Sequence, residues 1–133
     1  MLRMILGIVL IGHALAHGGL AAAPTPGDPD PKPGDFFTDI GRSWLFQRLG
    51  LSPDSVKKIG IVLVIFSTIG FILAGLGELG VFGLDKIWTT VTGISAIGSM
   101  ILLVSFWHPW LILGILLDAG LLILLMLNKF PLK

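Results

Sequence analysis

Three side chains hold the chemistry available inside the apolar part of this chain: His13, His17 and Asp118. His13 and His17 stand four residues apart in the run LRMILGIVLIGHALAHGGLAA, so on a helix they share one face and reach the same neighbour or ligand. An imidazole near neutrality both gives and takes a proton, and two on one face also suit a pair of metal ligands. Asp118 lies midway along another apolar run, nine residues from Pro109 and nine from Leu127. A carboxylate at that depth costs about 2.5–3.5 kcal/mol on insertion scales, so it is expected to face inward, protonated or paired. Gly114, one turn earlier on the same face, leaves room for an imidazole or a ligand.

Several chemistries fit this set. In the plainest, the histidines and the aspartate hydrogen-bond across helices and specify packing. A second is a proton or quinone site, in which a histidine exchanges a proton with the buried acid. A third is a metal held by His13, His17 and Asp118, although Ala14, Leu15 and Ala16 stand between the histidines where HExxH would carry a glutamate. Haem ligation by two histidines needs opposed helices, and His108 falls at an interface. Hydrolysis has little to draw on, since Ser43, Ser52 and Ser55 have no histidine near them in sequence.

Composition says what must position these residues. Of 133 residues 54% are hydrophobic and only 13% charged, with a mean hydropathy of +0.95, which excludes an ordinary soluble domain and implies an integral membrane protein. A net charge of +1, with nine scattered Lys and Arg, argues against a nucleic-acid-binding surface. Without cysteine there is no thiolate metal site, disulfide or iron–sulfur cluster. Tyrosine is also missing, so interfacial anchoring falls to Trp44, Trp88, Trp107 and Trp110.

Four spans are predicted, at about 2–22, 57–78, 87–107 and 109–127, with an extramembrane loop over 24–56 in a single membrane domain. The first imitates a secretory signal, with Arg3, an apolar stretch and a small-residue end, but Pro24 and its length favour a retained helix. The next segment, PTPGDPDPKPG, has five prolines and reads as an extended linker. Asp35 to Gly50 sets Phe36, Phe37, Ile40, Trp44, Leu45 and Phe46 against Asp39, Arg42, Gln47 and Arg48. That pattern predicts an amphipathic helix at the membrane surface or folded over the bundle as a lid. Ser52-Pro53-Asp54 is a helix start, and Gly80, Gly83 and Asp85 make a turn. Because residues before proline leave the helical region, His108-Pro109 forces a tight hairpin between the last two spans. Glu78, Asp85 and Lys86 read as solvated groups at helix ends; Trp107, His108 and Trp110 read as an interfacial belt.

Lipid gives helices no hydrophobic reason to associate, so small residues are expected to form the seams. They are Ser67, Gly70, Ala74 and Gly77 on the second span, Thr92, Ser95, Ala96 and Ser99 on the third, and Gly12, Ala16, Gly19 and Ala23 on the first. Lys and Arg number four on the side of the termini (Arg3, Lys86, Lys129, Lys133) and five on the other, so charge does not orient the bundle. The signal-like start favours cytoplasmic termini in the cytoplasmic membrane. With RMILGIVLIGHALAHG in the first span and FWHPWLILGILLDAG opening the fourth, the chain resembles small, mostly uncharacterised prokaryotic four-helix membrane proteins of a DoxX-like shape. That resemblance implies quinone-linked or oxidative-stress membrane chemistry. The expected fold is an all-α, four-helix membrane bundle. Three roles fit it: an accessory or structural subunit of a larger complex, with a protein partner or as a homo-oligomer, whose Phe36 to Leu49 segment contacts a partner or the lipid surface; a redox, quinone- or metal-binding protein built on His13, His17 and Asp118; or a small proton-coupled exporter.

Overall fold

A computed structural model describes residues 1–127; Lys129 and Lys133, counted above toward orientation, lie outside the described residues. Helix α1 runs Leu2–Ala22, the single turn α2 Trp44–Gln47, α3 Pro53–Glu78, α4 Trp88–Ser105 and α5 Ile112–Met126, with 3-10 turns at Val81–Lys86 and Pro109–Leu111. Among the described residues four helical stretches are long and apolar enough to cross a bilayer, the fourth being Pro109–Met126. The all-helical, four-span architecture is therefore as expected. Lipid-facing positions show in the exposure of Val62 (64%) and Leu113 (75%), which no soluble protein would leave bare in such number.

Local chemistry sets the helix limits. At α3 the Ser52 hydroxyl accepts from Ser55 N at 3.2 Å, while Pro53 fills the first position and Asp54 the first turn. Between α3 and α4 the chain turns through left-handed Gly80 and Gly83, with Phe82 between them also at positive φ and almost fully exposed. Before Pro109, His108 is extended, and its Nδ1 accepts from Trp110 N at 3.2 Å, so the α4–α5 reversal is capped by its own side chain.

In the bundle, α1 packs along α3, α3 along α4 and α4 along α5, while α1 and α5 face each other without comparable backbone contact. The α3 seam is as predicted: Gly70 admits the Ser95 hydroxyl, and a Cβ on Gly77 would lie 2.6 Å from Trp88 Cβ. The α1 seam is not. Gly12 and Gly19 meet nothing within 4 Å, and α1 approaches α3 through Gly7, where a Cβ on Gly75 would come within 2.8 Å of Gly7 O. The reason is that the helix face is chosen by the histidines: Leu10, His13, Ala14 and His17 turn inward, which leaves Gly12, Ala16 and Gly19 outward.

The amphipathic helix expected over the first loop is reduced to Trp44–Gln47. Upstream, polar side chains take the backbone's bonds: Asp39 Oδ1 accepts from Gly41 N at 2.8 Å, Thr38 Oγ1 donates to Gly34 O at 3.1 Å, and the long Arg42 side chain donates to Phe36 O. The segment is a turn-rich cap folded over the bundle. Phe36 and Phe37 are 0% and 1% exposed, packed with Val56, Leu102, Leu103 and Phe106, and Trp44 Nε1 straps the cap to Val104 O at 3.0 Å. A second apolar cluster, Leu10, Ala14, Phe71, Ala74, Ala96 and Leu121, fills the bundle toward the termini.

Two expectations at helix ends change. Glu78 is not solvated: its side chain is fully buried and faces Arg3, with Nε at 3.4 Å from Oε1, closing the end of the α1–α3 seam. Trp88 is 6% exposed and belongs to the interior, whereas Trp107 and Trp110 are exposed as belt residues should be.

Candidate functional site

Where the two apolar clusters meet, α1, α4 and α5 bring four polar side chains into one chain of hydrogen bonds. His13 Nε2 lies 3.0 Å from Asp118 Oδ1, Asp118 Oδ2 lies 2.5 Å from Ser99 Oγ, and Ser99 Oγ lies 2.8 Å from His17 Nε2. The chain ends where His17 Nδ1 donates to His13 O at 3.0 Å, the carbonyl one turn earlier. All four residues are buried, Ser99 and Asp118 completely. Phe71 packs on both imidazoles, with ring centroids 4.7 Å and 6.1 Å away, and Phe37 from the cap lies 6.4 Å from His17.

The expected contact between His13 and Asp118 is thus present, and His17 joins them at one remove. Gly114 plays the part foreseen for it: a Cβ there would lie 3.5 Å from His13 Cε1 and 2.9 Å from Leu103 Cδ1. Ser99 was legible only as a packing residue. Thr92, Ser95 and Ser99 are among the buried hydroxyls of α4, and the first two return to their own helix, Thr92 to Trp88 O and Ser95 to Val91 O, both at 2.7 Å. Ser99 alone of the three leaves its helix, because Asp118 and His17 offer it partners.

Counting hydrogens restricts the protonation states. The four contacts need four hydrogens, and the last is fixed on His17 Nδ1 because a carbonyl only accepts. The Ser99 hydroxyl has one hydrogen, which goes to His17 or to Asp118. In the first case Asp118 carries a proton on Oδ2 and His17 is neutral. In the second Asp118 is a carboxylate and His17 an imidazolium. Both arrangements have zero net charge, and they interconvert by two short hydrogen shifts along one line. In both, the single hydrogen of His13 sits on Nε2, facing Asp118, so Nδ1 is a bare acceptor. Placing a hydrogen on Nδ1 as well gives the chain a charge of +1 that no buried counterion offsets. Among the described residues no hydrogen bond reaches His13 Nδ1.

The His13 and His17 rings line a cleft of about 210 Å³ between α1 and α5, whose other walls include Leu103, Trp110, Leu113 and Gly114. Trp110 and Leu113 are 65% and 75% exposed, so the mouth opens sideways, toward lipid. The cleft follows from the loose approach of α1 to α5, which among the described residues only the His13–Asp118 bridge spans with a hydrogen bond.

Metal ligation fits this arrangement poorly. Among the described residues no three of His, Cys, Asp and Glu are placed to hold an ion. Both His17 nitrogens are committed, and the two imidazoles meet edge-on at 4.6 Å between centroids rather than converging on a point. For hydrolysis, Ser52 and Ser55 bond each other at 2.8 Å and Ser43 is buried in the cap, and among the described residues none of them hydrogen-bonds a histidine. His108, outside the membrane-spanning segments, sits between Phe36 and Trp110; burial, and secondly the charge of Arg42, hold its imidazole below the ordinary value. No protein-family model, no curated protein and no solved structure matches the chain.

Proposed function

We propose that this small membrane protein binds a lipophilic ring compound of the quinone and quinol class in the α1–α5 cleft and exchanges a proton with it through His13. The observation that supports this reading is the meeting of two features at one residue. The hydrogen-bond chain is closed everywhere except at His13 Nδ1, and the same imidazole lines a cleft open to the bilayer. A polar bridge that served packing alone would have no use for that opening. An apolar cavity of about 150 Å³ holds a benzene, so one substituted ring fits here and its tail stays in lipid.

The proton step balances within the chain. With His17 as imidazolium and Asp118 as carboxylate, a ligand hydroxyl gives its proton to His13 Nδ1 while the hydrogen on Nε2 moves to Asp118 Oδ1. The ligand oxygen keeps the bonding pair and becomes an anion, and the relay carries the matching positive charge beside it. The relay has no second mouth, since it stops at His13 O. Proton-coupled export would need two. The accessory-subunit role has less to rest on, because Phe36 and Phe37, two of the residues expected to meet a partner, are folded into the chain's own core.

The test uses purified protein in nanodiscs, titrated with 4-bromoanisole and 4-bromophenol, whose bromine quenches tryptophan at contact. Expected is saturable quenching, lost in large part in Trp110→Phe and weakened about tenfold in Gly114→Val, whose side chain fills the cleft beside His13. Quenching that rises linearly with probe and is the same in the wild type and in Gly114→Val refutes the reading.

A further inference from the structure

The hydrogen count has a consequence for which rings the cleft accepts, and it rests on the binding site proposed above. In either neutral arrangement His13 offers the cleft a lone pair on Nδ1 and no hydrogen. His17 offers nothing, because Ser99 and His13 O occupy both its nitrogens. Trp110 has an indole N–H, but at 65% exposure it stands at the mouth, within reach of other partners. Deep in the cleft, therefore, the one unmet hydrogen-bonding group is an acceptor.

We infer that the cleft selects rings bearing a hydroxyl, phenols and hydroquinones, over their carbonyl and ether counterparts. A hydroxyl supplies the hydrogen that Nδ1 lacks. A carbonyl or ether oxygen brought to the same place sets lone pair against lone pair, and the remedies are to charge the relay or to give up the hydrogen of one of its four contacts. The chain would thus hold the reduced form of a redox ring in preference to the oxidised form, through hydrogen-bond polarity alone and without an electron being moved. Asp118 and Ser99 are positioning residues in this scheme: they hold the His13 hydrogen on Nε2 and touch no ligand.

Three matched probes test it in nanodiscs, with concentration counted per lipid: 4-bromophenol, 4-bromoanisole and 4-bromoacetophenone. Expected is half-saturation by the phenol at roughly one tenth the density needed for the other two, the size of one unmade buried hydrogen bond. His13→Phe, which keeps a ring and removes the nitrogen, is expected to bind phenol and anisole equally. An independent readout on the wild type is the ¹⁵N spectrum of labelled histidine: His13 with a bare Nδ1 and a protonated Nε2, His17 with a protonated Nδ1. Equal binding of the three probes by the wild type overturns the inference and leaves the binding site standing, as does a protonated His13 Nδ1 in the ligand-free protein. A phenol preference that survives in folded His13→Phe also overturns it. Absence of saturable quenching by any probe is a different result, which removes the site itself.

Discussion

Replacing Asp118 by asparagine and by alanine separates the two neutral arrangements of the relay. Asparagine reproduces the protonated aspartate: its Oδ1 accepts from His13 Nε2, its amide donates to Ser99 Oγ, and Ser99 donates onward to His17 Nε2. All four contacts keep a hydrogen, and the only addition is the second amide hydrogen. Alanine removes two contacts, the 3.0 Å bond from His13 and the 2.5 Å bond with Ser99. It leaves the His13 N–H with no partner in a fully buried site. An orphaned buried donor costs about 1–3 kcal/mol, while interhelical hydrogen bonds in membranes average about 0.6 kcal/mol each. Alanine is therefore expected to lose roughly 1–4 kcal/mol of unfolding free energy and asparagine less than about 1 kcal/mol, any excess measuring the preference for the charged arrangement. The assay is reversible unfolding by steric trapping in bicelles, with the ¹⁵N histidine spectrum confirming the tautomers in Asp118→Asn. If asparagine proves as costly as alanine, the neutral arrangement is not accessible and the hydrogen count is wrong.

The seams make their own predictions. Gly75→Val drives a side chain into Ile11 and Gly7 O, at 2.6 and 2.8 Å from the first added carbon, and should separate α1 from α3. The loss is expected to reach several kcal/mol, on the scale of overpacked cores, whereas Gly12→Ala and Gly19→Ala, facing open space, should be neutral by thermal unfolding. Gly60→Ala presses on Phe37 O and the Phe106 ring, so faster hydrogen exchange is expected in the cap over 35–47 than in the termini half of the bundle. Arg3→Ala should destabilise by about 1 kcal/mol, discounted for an arginine that is half exposed, and adding Glu78→Gln should restore most of it in a double-mutant cycle. For His108 the folded value is depressed, so its stabilising neutral state is present above the ordinary 6.5 and is lost as pH falls below it. Protonation at Nδ1 removes the acceptor for Trp110 N, and the protection factor of that amide, its exchange relative to the intrinsic rate at each pH, should fall in acid.

How much of this was readable from residues alone differs from element to element. The four spans follow from hydropathy, and the Ser52-Pro53-Asp54 start from capping chemistry, because both are local properties. The His13–Asp118 pair was also legible, since two polar groups at equal depth in neighbouring spans have few other partners. Ser99 was not: nothing local distinguishes it from Thr92 and Ser95, and only the arrival of α5 decides which hydroxyl leaves its own helix. The cap failed for the opposite reason. Its apolar spacing suits a helix, but Asp39, Thr38 and Arg42 bind the backbone nearby, and burial of Phe36 and Phe37 rewards the turns they make. The α1 seam failed because two stripes, one of glycine and alanine and one carrying the histidines, compete for the same neighbour, and the polar one wins.

The order in which the helices are made gives the relay another meaning. α1 is synthesised before α4 and α5, yet neither of its imidazoles finds its side-chain partner on α3: Ser99 comes with α4 and Asp118 with α5. Until α5 is inserted, the membrane holds a helix whose His13 lacks its Asp118 partner. A chain interrupted before α5 would therefore keep an unpaired imidazole within the bilayer, and the arrival of α5 satisfies it.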